Sequence, residues 1–264
     1  MKSKFSKLAL AATLGLAITL TLNACEEKKK PDSEPAAAAA EKPAEKADGN
    51  TFTDSRDGKK YKTVKIGEQV WMAENLNYAA KGSKCYGEGD KVNKGLDDKY
   101  NTIYATLSNA EIQANCAKYG RLYDLETAKT VCPAGYHLPS REEWDKLPQI
   151  VGGEQTKECG ENGCEEGYIV IWEGTGKKLK SKSGWNDHNG TDDFGFSALP
   201  GGYRMPPDDS VDGGTFYGVG NQGSWRMANG YGYTIDDYDR FFEQEYAEGN
   251  DSDNFAYSVR CIKD

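Results

Sequence analysis

Hydrophobic and polar positions follow three periods along this chain. Between Gly120 and Trp144 the apolar residues Leu122, Leu125, Ala128 and Cys132 recur at three- and four-residue intervals, which predicts one apolar helix face. Pro133 and Gly135 end that helix, because proline lacks the donor to continue it and glycine tolerates the turn. Tyr136, His137 and Leu138 then run extended into Pro139, which disfavours helix in the residue before it. Ser140 and Glu143 have capping-box spacing, so a second helix begins at Arg141 and buries Trp144 and Leu147. It fades at Pro148 and Gly152-Gly153.

Upstream the period is that of strands. Asp57-Gly58 is a hairpin signal between Thr51–Asp54 and Tyr61–Ile66, and Val70-Trp71-Met72 reads as a third strand with Trp71 as a core anchor. Asn75 to Asp98 is polar and glycine-rich and reads as loop, held by Cys85. Downstream, Tyr168 to Trp172 is a strand or a short helical piece, and Lys177 to Lys182 reads as surface. The chain closes on Tyr257 to Ile262, an alternating strand. The elements predict an α+β fold: a single loop-rich domain over residues 51–264, with two short helices and short antiparallel strands.

The third pattern is the absence of large apolar residues. Residues 26–50 hold no aromatic and no large aliphatic side chain, so the segment cannot offset its ordering entropy and reads as a disordered tether. Before it, Lys2, Lys4 and Lys7 precede an apolar run from Leu8 to Leu22, the layout of a signal peptide over residues 1–24. Leu22-Asn23-Ala24-Cys25 resembles a bacterial lipobox, with Cys25 as the thiol that takes the lipid. More than one acyl chain anchors stably where a single chain is marginal. The sequence therefore implies a lipid-anchored protein of the bacterial cell envelope, on the outer membrane, with the membrane as its first partner.

Composition narrows the function. Net charge is -9, which argues against nucleic acid as a partner. With only two histidines, His137 and His188, a histidine-rich metal or proton-relay site is disfavoured. Of the seven cysteines, Cys25 stands apart and six remain: Cys85, Cys116, Cys132, Cys159, Cys164 and Cys261. An even number in an oxidising compartment predicts a disulfide framework. Cys159 and Cys164 enclose a small loop, read as a disulfide in preference to a metal or redox pair.

Candidate chemistry is sparse, and the chain is read as a non-enzyme with no cofactor. Carboxylate pairs such as Asp192-Asp193, Asp208-Asp209 and Asp236-Asp237 lack the defined separation a hydrolase requires, and acidic loops are usually solvated. Oxygen-rich loops at Asp187–Asp193 and Asn250–Asn254 could ligate a structural calcium, though neither follows the usual loop pattern. The stretch from Gly184 to Tyr238 holds more aromatics than its short strands need. Trp225, Tyr231 and Tyr233 are either core or an exposed platform for a sugar ring, with Arg204, Arg226, Asp236 and Asp237 nearby to bind hydroxyls.

Several blocks in order resemble the Fibrobacter succinogenes major paralogous domain family. They are Val70–Asn77, Tyr119–Tyr123, Cys132–Ser140 with Glu143-Trp144, Phe194–Gly202 and Ser258–Cys261. The resemblance implies a lipoprotein or secreted protein and carries no biochemical activity with it. A broader similarity links Ala128, Cys132, Gly135, Leu138 and Glu143 to C-type-lectin-like domains. It implies that fold and a bond from Cys132 to Cys261 in the final strand, which leaves Cys85 to pair with Cys116. Leu138–Trp144 is also similar to a segment of formylglycine-generating enzymes, but that chemistry needs reduced cysteines. The lectin calcium triplet has no counterpart here, so Trp185-Asn186-Asp187 is read as coincidence.

Two functions follow as expectations. One is a surface-anchored binding or adhesion module, with carbohydrate, plant polysaccharide above all, as the leading ligand. The other is a structural lipoprotein that binds another envelope protein.

Overall fold

A computed structural model of the chain describes residues 50–160, 163–207, 213–244 and 254–264. The chain divides into two units, Met1–Ala39 and Ala40–Asp264, and every described residue belongs to the second. The signal segment, Cys25 and the tether to residue 49 lie outside the described residues.

The domain begins with the expected hairpin of β1 (Thr51–Thr53) and β2 (Lys60–Ile66). Buried Asp54 ties its turn to Arg56, whose Nη2 lies 2.6 Å from the Asp54 Oδ2. The third strand, β3 (Gln69–Met72), pairs antiparallel with β2 and buries Trp71 completely. The presumed loop after it contains a strand, β4 (Lys91–Leu96), which folds back as β5 (Thr102–Ala105). Only Val92 of β4 reaches the core, so the strand has no apolar alternation to read.

α1 (Asn109–Tyr119) starts at a Ser108–Glu111 capping box and stops at Gly120, whose φ is 75°. A Cβ on Gly120 would come within 2.7 Å of the Leu76 carbonyl oxygen, so a larger residue would collide with backbone. Leu122 does not open a helix as expected. It lies in β6 (Leu122–Tyr123), and Asp124 caps a shorter α2 (Leu125–Val131) by accepting from the Thr127 N–H. Beyond Pro133 and Gly135 come β7 (Tyr136–His137) and α3 (Arg141–Ile150), which has the expected Ser140–Glu143 capping box. Pro148 sits inside α3 rather than ending it.

β8 (Glu154–Gly160) and β9 (Gly163–Glu173) form a long hairpin, so Tyr168 to Trp172 is strand. The short α4 (Gly176–Leu179) follows. Next come β10 (Gly201–Met205), β11 (Thr215–Val219), β12 (Gln222–Arg226), β13 (Gly232–Asp236) and β14 (Phe241–Gln244). The single closing strand expected from Tyr257 to Ile262 is two pieces, β15 (Tyr257–Ser258) and β16 (Ile262–Lys263). They join different sheets, and the residues between turn Arg260 into the interior.

One sheet runs β1-β2-β3-β16-β7. The larger runs β5-β4-β11-β10-β12-β13-β14-β9-β8, with β15 paired to β12 and β6. The pairing is mixed: β10–β12, β11–β4 and β12–β15 are parallel, where antiparallel strands alone were expected. The class is α+β, with four helices among the described residues instead of two. The main core joins Trp71, Trp144, Phe196, Trp225, Tyr233 and Phe241. Trp71 and Trp144 rings lie 4.7 Å apart, and Tyr233 stacks on Phe241 at 4.7 Å.

Cys85–Cys116 and Cys132–Cys261 are disulfides. Cys159 is also disulfide-bonded. The side chain of its expected partner, Cys164, lies outside the described residues. The basic run at Lys177 to Lys182 is not all surface. Lys180 is fully buried, donating to Asp239 Oδ1 at 2.7 Å and the Asp236 carbonyl at 3.1 Å, with its ammonium 4.2 Å from the centre of the Trp185 ring. A buried ammonium persists only with such partners.

Candidate functional site

The residues expected to form an aromatic platform are mostly interior. Trp225 is wholly buried, and its indole N–H donates to Asn75 Oδ1 at 2.9 Å. Tyr233 is buried against Trp144, and its hydroxyl donates to Asp145; burial and that bond push the phenol far above its usual range. Arg226 is buried, donates to the carbonyls of Gly230 and Phe255, and lies over the Tyr257 ring. Asp236 accepts from Arg240 Nε at 2.6 Å, and Arg204 donates to Asp90 Oδ2 at 2.7 Å. Tyr231 alone of the three rings is exposed, at 37%. These positions hold the domain together and do not form an exposed platform, which corrects the expectation. The rings looked surplus because their partners, Trp71 and Trp144, come from distant sequence.

The interior network centres on Asn75 and Arg260. Arg260 Nε donates to Asn75 Oδ1 at 2.8 Å, and its other nitrogens donate to the carbonyls of Phe196 and, at 2.9 Å, Ser197. Asn75 Nδ2 donates to the Tyr119 carbonyl at 2.9 Å and to Ser258 Oγ at 3.2 Å. Arg260 is completely buried and makes no ion pair among the described residues. Burial pulls its guanidinium down to about 9, while Asp192 and Glu74 oppose the shift. At neutral pH it still carries its charge. Its face lies 4.3 Å from the Phe196 ring centre and 5.5 Å from that of Trp225.

Those two carboxylates belong to a groove of about 490 Å³. β2 contributes Lys62, Thr63 and Val64, and the chain after β3 contributes Ala73 and Glu74. The loop between α4 and β10 contributes Lys182, Asp192, Phe194, Gly195, Ser197 and Leu199. Phe194 packs on the main core and lines the groove, so it joins an apolar wall to the interior. Asp192 holds the loop's shape by accepting from the Ser197 N–H at 2.7 Å and its hydroxyl at 2.6 Å. Both residues have positive φ, 49° and 51°, a strained conformation for side-chain-bearing residues that this clamp offsets. Glu74 accepts from the Lys62 backbone N–H at 2.8 Å. Apolar walls with a few placed polar groups are the usual make-up of a small-ligand site.

Sequence reasoning placed any site between Gly184 and Tyr238. Asp192 to Leu199 fall there, but Lys62, Glu74 and Lys182 do not. The only early signal was that Glu74 and Phe194 both lie in blocks that carry the family resemblance. A second aromatic surface was also missed. Tyr217 of β11 stacks on Tyr203 of β10 at 5.7 Å, and Tyr104 of β5 acts on the Tyr217 phenol, whose pKa is raised chiefly by burial. Among the described residues no three histidine, cysteine or acidic side chains gather to hold a metal ion. Most of the Asn250–Asn254 loop and the Asp208-Asp209 pair lie outside them.

The Fibrobacter succinogenes major domain matches this chain over residues 64–263. The chain belongs to that family. The matched Fibrobacter succinogenes major domain takes in every residue of the groove except Lys62 and Thr63. It includes Asn75, Arg260 and both cysteines of each described disulfide pair. No curated protein and no solved structure matches the chain.

Proposed function

We propose that this Fibrobacter succinogenes major domain protein is a lipid-anchored envelope protein whose folded part binds carbohydrate in the Lys62–Leu199 groove. The observation that carries the reading is the pairing of the Phe194 wall with hydrogen-bonding groups on Glu74, Asp192 and Ser197. A sugar has apolar ring faces and a rim of hydroxyls, and such a groove meets both. Anchoring rests on the Ala24-Cys25 lipobox, and the tether would hold the domain off the outer membrane, where plant polysaccharide is the leading ligand. The finer fold we propose is C-type-lectin-like, supported by the bond between Cys132, at the end of α2, and Cys261, beside the last strand. The test is binding of the full chain, in detergent, to a panel of soluble plant oligosaccharides by calorimetry, with Phe194→Ala alongside. Binding that Phe194→Ala weakens about tenfold supports the groove. A folded parent that binds no member refutes it.

A second reading, docking to another envelope protein, is favoured by the β4–β5 hairpin. Leu96, Tyr100 and Ile103 there are 59%, 85% and 44% exposed. Large apolar groups clustered at one sheet edge suit a protein partner. Loss of a co-purifying envelope protein on Tyr100→Ser with Ile103→Ser would favour this reading over carbohydrate.

A further inference from the structure

From the charges of the groove we infer that its ligand is an acidic saccharide, one bearing a carboxylate on the sugar ring. The inference rests on the carbohydrate reading and narrows it. The chain as a whole is acidic, with net charge -9. The groove departs from that balance. Lys62 and Lys182 line it, and neither ammonium has a carboxylate partner within ion-pair distance among the described residues. The two acidic residues there each already accept hydrogen bonds from the groove's own frame, with lone pairs left for a hydroxyl. Asp192 is bonded twice to Ser197, and Glu74 is bonded to the Lys62 backbone.

Both carboxylates also act on Arg260, a buried cation without an ion pair of its own. In the lining itself Lys62 and Lys182 balance Glu74 and Asp192, and the buried Arg260 guanidinium lies behind the wall, bonded to the Ser197 carbonyl. An anionic group entering it would meet two uncommitted lysines, while the Phe194 wall takes the ring face. A neutral sugar uses only the wall and the hydrogen-bonding groups, and leaves the lysines unpaired. The contrast is one of local charge complementarity, which sets specificity between otherwise similar ligands.

The experiment is calorimetry of the full chain with trigalacturonate and with cellotriose, at low and at moderate salt. Trigalacturonate should bind at least tenfold more tightly than cellotriose, and salt should narrow the gap. Lys62→Gln with Lys182→Gln, both at exposed positions, should lower trigalacturonate affinity about tenfold, well beyond any change for cellotriose, so that the gap between the two probes closes. Equal affinity for the two probes, or no response to the lysine variants, overturns the acidic preference and leaves the carbohydrate reading standing. Binding of neither probe, nor of any other glycan, overturns both.

Discussion

Asn75 should be among the costliest side chains in the domain to lose for its size. Its oxygen accepts from Trp225 and Arg260, and its nitrogen donates to Tyr119 and Ser258, at 2.8 to 3.2 Å. At 5% exposure, water cannot replace these bonds. Asn75→Leu keeps the side chain about the same size and removes all of them. Three neutral bonds at about 1 kcal/mol each, plus about 2 kcal/mol for the guanidinium, come to about 5 kcal/mol. That approaches the whole stability of many domains. Arg260→Met removes the buried charge itself and should cost less, about 2–3 kcal/mol, since the orphaned partners are mainly carbonyls. The decisive quantity is the double variant. The penalty for stranding the guanidinium disappears once the guanidinium is gone, so the pair should be about 2 kcal/mol more stable than the sum predicts. Urea unfolding followed by tryptophan fluorescence measures all four proteins. Additivity within about 0.5 kcal/mol, or an Asn75→Leu cost below about 1.5 kcal/mol, would refute the network.

Three further outcomes are expected. Removing Cys132–Cys261, which spans 129 residues, should cost about 5 kcal/mol on the loop-entropy account, and removing Cys85–Cys116, which spans 31, about 4 kcal/mol; denaturant titration of the serine pairs should preserve that order. Burial opposes charge on His137, but Asp264 at 2.7 Å and Glu143 at 2.9 Å outweigh it and raise its pKa above 6.5. Its stabilisation is therefore complete below pH 6.5 and is lost as pH rises through the raised value; in His137→Gln this component, roughly 0.5 kcal/mol for so exposed a pair, should vanish from denaturation midpoints compared across that range. Cys25→Ser should release the protein from the membrane fraction and abolish acyl labelling, and unchanged retention would exclude the anchor.

What could be read in the sequence was local. The Asp57-Gly58 turn, the Ser140–Glu143 cap and the amphipathic face of α3 each need only a few neighbouring residues, and each is present as expected. The same Ser-x-x-Glu signal at Ser108 and Glu111 was there to be found and would have located α1. Lys180, Arg226 and Arg260 could not be read this way. A cation in a polar stretch reads as surface unless its partners are known, and many of theirs are backbone carbonyls that sequence does not distinguish. The groove was hidden for a related reason. Its walls come from residues 62–64, 73–74, 182 and 192–199, which are brought together only when the α4–β10 loop lies against β2.

The place of β16 bears on how such a chain is made. Ile262 pairs with Trp71 on one side and His137 on the other, so a strand far along the sequence fills the gap between β3 and β7. The Met72 N–H donates to the Cys261 carbonyl, and the Leu76 N–H to that of Val259. A chain emerging amino-terminus first from a ribosome must therefore wait with that sheet incomplete until β16 is free. Such long-range closure is slow, and it leaves completion of this sheet until after β2, β3 and β7 have formed their other contacts.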